Sequence, residues 1–330
     1  MSEWKNINTG HPTKVLFDWI MRSFYENSPV SAARLDDLYE REMIRRGIFF
    51  NPERGPLRTP KVNLITKEIE IHQAYISFLW CLCYNFVVLN RLSQLLSCDG
   101  KKIIRVNDAD EADKNLLNAL TGWAFNLRDE YSDWPPYLPN PTYPGDEIKM
   151  ANVLLVEVVK FLLYHEIAHL GNGHNNYLGL IETPNQDLTV DQLADLKALE
   201  VEADNYAYDM HVGPILDESS YNQAMGAIVA LLSNLFVIDT PRKLTQLRHP
   251  DIDTRIFNLM NKIKFEDLRF QMNIDQTLNA ALSFFLHRHR INFFPENQED
   301  IDWNETFEDA LRYLYARIDQ EKEVMGTFEK

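Results

Sequence analysis

A chain of 330 residues that is 45% apolar and 12% aromatic can bury a substantial core, as one large domain or two ordinary ones, and is read as globular. Its 33 Lys and Arg face 49 Asp and Glu, and the net charge of −16 opposes phosphate backbones and anionic lipid, so neither nucleic acid nor a membrane is an expected partner. Cys81, Cys83 and Cys98 lie in or beside one apolar run and form no disulfide framework, and the N-terminus lacks a secretory signal; a cytoplasmic protein is expected.

In chain order, amphipathic helices are predicted at 13–26 and 32–47, the second opened by Ser31. NPERGPLRTPKVNLITKEIEI breaks at Pro and Gly, and Val62, Leu64, Ile69 and Ile71 then alternate with polar residues, which predicts one or two short strands. AYISFLWCLCYNFVVL, residues 74–89, contains Asn85 and falls short of the roughly 20 residues needed to cross a bilayer, so it reads as a buried helix. KKIIRV at 101–106 suggests another strand, and NDADEADKN after it a helix start with acidic residues at the N-terminal dipole. The prolines of WPPYLPNPTYPGDE make 134–147 a stiff connector between an N-terminal helical and small-sheet part, 1–133, and a C-terminal helical catalytic part, 148–330. Further helices are predicted at 148–171, 188–212, 218–237, 251–264, 275–290 and 304–321. The expected fold is mainly α with a small β-sheet, an α+β arrangement whose N-terminal part forms one wall of a cleft. HRHR at 287–290 reads as an exposed helix end and carries no chemistry.

The chemistry concentrates in FLLYHEIAHLGNGH, residues 161–174. On a helix without Gly or Pro until Gly171, His165 and His169 lie one turn apart and can converge on one metal ion, with Glu166 beside them. Zinc held by two imidazoles acidifies bound water, and a neighbouring carboxylate can take the proton during attack on a peptide carbonyl. A third ligand comes either from His174, beyond the break at Gly171 and Gly173, or from Glu200 in KALEVEADNYAYDM. Glu200 is favoured because Asp204, one turn on, would then accept the outer N–H of a ligand histidine; Glu202 is the fallback for a different register. An exposed acidic face is the bland reading of these carboxylates, but Ala203 and Ala207 suit close helix packing.

In LRHPDIDTRIFNLM, Pro250 would open a helix, His249 could donate to an oxyanion and Arg255 could brace carboxylates near the metal. Spacing alone leaves these as a helix cap and a surface arginine. Tyr206 and Tyr208 are further oxyanion candidates whose ordinary place is the core. A substrate backbone could also pair with an edge strand within 61–71.

HEIAH, EVEADNYA and HPDIDTRI, in this order, resemble the Lit peptidases, the cytoplasmic phage-exclusion proteins of bacteria, within the broader gluzincin pattern of a HExxH helix followed by an ExxxD helix. The layout is similar too: strand-like residues, an aromatic-rich helix, a WP-rich break before HExxH, and nine residues from His165 to His174. The resemblance covers about residues 60–265. It implies a zincin-like fold, His165, His169 and Glu200 as zinc ligands, Glu166 as the base, and an intracellular endopeptidase that cuts a host translation factor, elongation factor Tu, on a phage-derived signal. The ImmA/IrrE type of regulatory peptidase, which acts on repressors, is similar in HExxH and in its later helix, but often has asparagine where Asp204 stands. A non-proteolytic sensor with a structural zinc, closed by His174, is the reading outside enzymology.

Overall fold

The computed structural model describes residues 10–63, 65–98, 110–174, 177, 188–238, 246, 249–289 and 320. A 3-10 turn at Pro12–Leu16 leads into α1 (Phe17–Tyr25) and α2 (Pro29–Glu40), whose N-cap Ser28 accepts from the Ser31 N–H. The helix predicted to run to 47 stops at Glu40. Glu42 takes a left-handed φ of 54°, and the Met43 N–H turns back to the Leu38 carbonyl, which closes the helix. The chain then extends as β1 (Ile48–Asn51), a strand that the sequence pattern did not predict.

The sheet is small and mixed, in the order β1-β3-β2, with β2 at Lys61–Asn63 and β3 at Glu68–His72. β1 runs parallel to β3 with Ile48 opposite Ile69, and β2 runs antiparallel to β3 with Val62 opposite Ile69. Ile69 and Ile71 bury one face, as their alternation predicts. β3 passes directly into α3 (Gln73–Cys98), the apolar run. Among the described residues Gln73–Leu92 is the segment long and apolar enough to span a bilayer, with mean hydropathy 1.3, and 83% of its apolar window is buried inside the fold.

α4 (Glu111–Asn126) begins at Asp110, whose carboxylate caps the Asp113 N–H. Arg91 of α3 joins Asp113 to Glu147 through contacts of 2.7 Å each. The strand expected at 101–106 and the helix expected at 304–321 lie outside the described residues, apart from helical Gln320.

α5 (Asp146–Gly171) is the spine. It is apolar on nearly every side, opens with Asp146 and Glu147 at its positive end, and packs against α3, α6 (Val190–His211) and α7 (Tyr221–Val237). α8 (Ile252–Lys262) and α9 (Leu268–Arg288) complete the described helices, α9 starting earlier than predicted. α5 and α7 come into close contact at Gly226, where a Cβ would stand 2.5 Å from Glu157 Cβ and 2.8 Å from its backbone carbon.

The Pro-rich segment between α4 and α5 is tied down. Leu138 is buried, Trp134 meets Trp123 edge-on at 4.6 Å, and Asn152 accepts from Trp80 Nε1 while donating to the Pro141 carbonyl. It lies at the N-terminal end of α5, about 28 Å along the axis from His165 at roughly 1.5 Å per residue. One buried cluster includes residues from both sides of this segment.

Several buried histidines are held neutral. His11 donates from Nε2 to the Ser132 carbonyl at 2.9 Å, so Nδ1, 2.8 Å from Ser77 Oγ, is the acceptor. Burial lowers the proton affinity of His11, His72 and His211. Below their ordinary value of 6.5 the unfolded chain takes up protons that the native state refuses, so stability falls as the pH falls through that range. Each such group costs up to about 1.4 kcal/mol per pH unit. Acidification from about pH 7.5 to about pH 5.5 should therefore cost His72→Leu, which removes two ring nitrogens without hydrogen-bond partners, less melting temperature than it costs the wild type. Gly226→Ala should destabilise by about 1–3 kcal/mol in denaturant titration, because two backbones must separate to admit the methyl group.

Candidate metal and active site

α5 presents His165 and His169 toward α6, and α6 answers with Glu200 and Asp204. The two Nε2 atoms lie 3.2 Å apart, and each is 3.4 Å from an oxygen of Glu200, His165 from Oε2 and His169 from Oε1. One donor atom from each of the three residues falls within a 4.8 Å span, so the group can hold a metal ion.

Behind this triangle His165 donates from Nδ1 to Asp204 Oδ1 at 3.0 Å. Arg255 of α8 grips the same carboxylate twice, Nε to Oδ2 and Nη2 to Oδ1, both at 2.7 Å. The guanidinium also approaches Glu200 at 3.9 Å. These side chains are largely buried, so the fork-to-fork geometry offsets a desolvation cost that a looser pair would not.

His249 stands half-exposed with Nδ1 3.2 Å from Glu200 Oε2. It precedes Pro250, which favours extended backbone at that position. Pro250 lies just before the α8 N-cap, Asp251, and not in the first turn; Asp251 Oδ1 accepts the Gln246 N–H and pins the loop.

α5 ends at Gly171, and Gly173 takes a φ of 78° that reverses the chain and returns His174 to the helix. His174 meets the outer side of His169, Nδ1 to Nδ1 at 3.0 Å, with its Nε2 3.5 Å from Glu202 Oε2. Glu202 is correspondingly turned toward His174 and Asn172 and stands outside the group formed by His165, His169 and Glu200.

Burial pushes the Glu166 carboxyl up, Glu200 adds to this, and the result is about 7. For His165 burial acts downward, but Asp204 and Glu200 overcome it and raise the ring to about 10. Burial and the neighbouring His165 bring His169 down to about 4. Glu200 and Asp204 resist their burial through His165, with His249 acting on the first and Arg255 on the second; both are held low, Asp204 at about 2.

Of the residues singled out from sequence, His165, Glu166, His169, Glu200, Asp204, His249 and Arg255 come together. Tyr208 donates instead to the Lys262 carbonyl, and the Tyr206 hydroxyl faces Arg34. Tyr75 was not anticipated. It is buried on α3 beside Ser233, and the charges of Glu166 and Arg255 bear on its hydroxyl, which burial raises to about 12. Nothing in an apolar run some ninety residues before HExxH marks it.

A chain that buries two histidines, a proton-accepting carboxylate and a braced Glu–Asp pair at one point has the parts of a hydrolase. Residues 69–274, more than half of the chain and every residue of this group, match the sequence profile described as Peptidase U49, and the chain belongs to that peptidase family. No curated protein and no solved structure matches it.

Arg255→Ala should cost about 3–5 kcal/mol in denaturant titration, since it leaves the Asp204 carboxylate buried without its counter-charge. A loss under about 1 kcal/mol would mean that the pair behaves as a solvated surface contact.

Proposed function

We propose that this peptidase is a zinc-dependent endopeptidase of the cytoplasm, with His165, His169 and Glu200 as its ligands. The carrying observation is the donor triangle. The two imidazole Nε2 atoms lie 3.2 Å apart, each faces one oxygen of the Glu200 carboxylate at 3.4 Å, and one donor atom from each residue falls within 4.8 Å of the others, a set of nitrogen and oxygen donors that zinc accepts. When bound there, zinc supplies Lewis acidity to the reacting carbonyl and water.

The protein's own groups do the rest. Glu166 accepts a proton from the attacking water on its carboxylate and delivers it to the leaving amine; its burial raises the proton affinity of the carboxyl, and a nearby dication would act in the opposite direction. Asp204 keeps the His165 proton on Nδ1 and leaves Nε2 free to ligate. His249, at the exposed rim, can donate to the oxygen that gains charge in the tetrahedral transition state. The N-terminal part with its sheet would form the opposite wall of the cleft, and the edge strand β2 is available to pair with an extended substrate.

The resemblance of HEIAH, EVEADNYA and HPDIDTRI to Lit peptidases supports a protein substrate among host translation factors, elongation factor Tu first, cut in defence against phage under control of a phage-derived activator. Among the described residues His174 does not join the donor triangle, which weighs against the closed four-ligand site that a structural zinc would need.

Purified protein should carry one zinc per chain by mass spectrometry, and Glu200→Ala should lose it. Glu166→Gln should keep both fold and zinc while reducing cleavage about 100- to 10,000-fold, the range that a positioned general base contributes. Full zinc in Glu200→Ala would refute the ligand set, and undiminished cleavage by Glu166→Gln would refute the proton path.

A further inference from the structure

His174 and Glu202 have no part in the chemistry above, yet both are oriented. His174 is 2% exposed although it follows a helix terminus; Glu202 Oε1 accepts from Asn172 Nδ2 at 3.0 Å, and its Oε2 is directed at His174 Nε2 from 3.5 Å, a buried nitrogen that makes no closer hydrogen bond. The relay from His169 through His174 to Glu202 has one consistent set of protons. His169 Nε2 points at Glu200 and His165, so a ligating His169 must leave that nitrogen bare and carry its proton on Nδ1. The atom facing that N–H is His174 Nδ1, 3.0 Å away, which must then be the acceptor. A neutral His174 whose Nδ1 is bare has its proton on Nε2, the nitrogen directed at the Glu202 carboxylate.

We infer that His174 is a positioning residue for His169, with Glu202 fixing its tautomer, as Asp204 positions His165. This rests on the metal-site reading above. It accounts for the turn at Gly173, which returns a histidine to the outer side of the ligand and not to the inner side where a third donor would sit. It also makes the two ligands unequal: His165 is backed by a buried carboxylate clamped by arginine, whereas His169 is backed by a neutral ring and a carboxylate that is 56% exposed.

The test is zinc affinity of the full chain, measured by competition with a chromophoric chelator, together with the visible spectrum of the Co2+-loaded protein. His174→Phe keeps a ring and removes the acceptor, and should weaken zinc binding about 10- to 100-fold with the Co2+ bands in place. His174→Asn, whose side-chain carbonyl can accept from Nδ1–H, should recover most of that loss. Glu202→Leu should weaken binding about 3- to 10-fold by releasing the tautomer. If His174→Phe misfolds by circular dichroism, the Asn and Leu variants carry the test. Wild-type affinity in His174→Phe, or in Glu202→Leu if the first does not fold, overturns the positioning role alone. Shifted Co2+ bands in His174→Asn, with zinc retained by Glu200→Ala, would make His174 a ligand and overturn both readings. Absence of zinc binding by wild type would overturn the metal site, and the positioning role with it.

Discussion

A buried carboxylate persists only if its lone pairs are engaged, and that of Asp204 is engaged by groups from two other helices. Oδ1 accepts from His165 on α5 and from Arg255 on α8, and Oδ2 from Arg255. Three helices are thereby locked in register at one side chain. A slip of one residue along α6 would rotate its donors by roughly 100°, removing Asp204 from His165 and Glu200 from the Nε2 atoms together. The same hydrogen bond that aligns the helices sets the tautomer of His165, so the fold and the candidate site share a constraint.

The placement of the site follows from the character of α5. A helix apolar on nearly every side must be central, and α5 achieves this by meeting α7 at Gly226 almost backbone to backbone. Its buried length carries a charged pair of its own, Lys160 and Glu157, which meet at 2.8 Å. The polar residues of HExxH fall in the last turns, where the spine reaches the rim. His165 is thus buried, His169 partly so and His249 half-exposed, a gradient from rigid support to accessible reagent.

The residues that carry the site were legible because their information is local. His165 and His169 declare a shared helix face by spacing, and Glu200 and Asp204 do the same, so once both helices exist their pairing needs only packing. The end of α2 and the strand β1 were illegible for the opposite reason: charged residues at 41–47 suit an exposed helix, and only the pairing of β1 with β3, some twenty residues on, makes extension preferable. Arg255 showed a further limit. Alone in HPDIDTRI it reads as a surface arginine, and its burial against Asp204 emerges only from the way α8 crosses α6. For His174 the glycines announced a break in the helix and left open whether a turn would bring the ring back.

Charge accounting joins these strands. Glu166, Glu200 and Asp204 place three carboxylates around one buried point, and Arg255 is the buried cation against them, leaving two negative charges in excess when the histidines are neutral. A low-dielectric site cannot carry that excess unbalanced. The raised proton affinities of His165 and Glu166 are the response, since protons are the cations every site can recruit. A dication at the donor triangle would balance the same excess while leaving both imidazoles neutral, as ligation requires, and its arrival would expel those protons. On the proposed reading, the acidic cluster and the outer partners of the two rings would serve one end, Glu200 supplying charge to a bound dication and the groups behind His165 and His169 holding the rings in place.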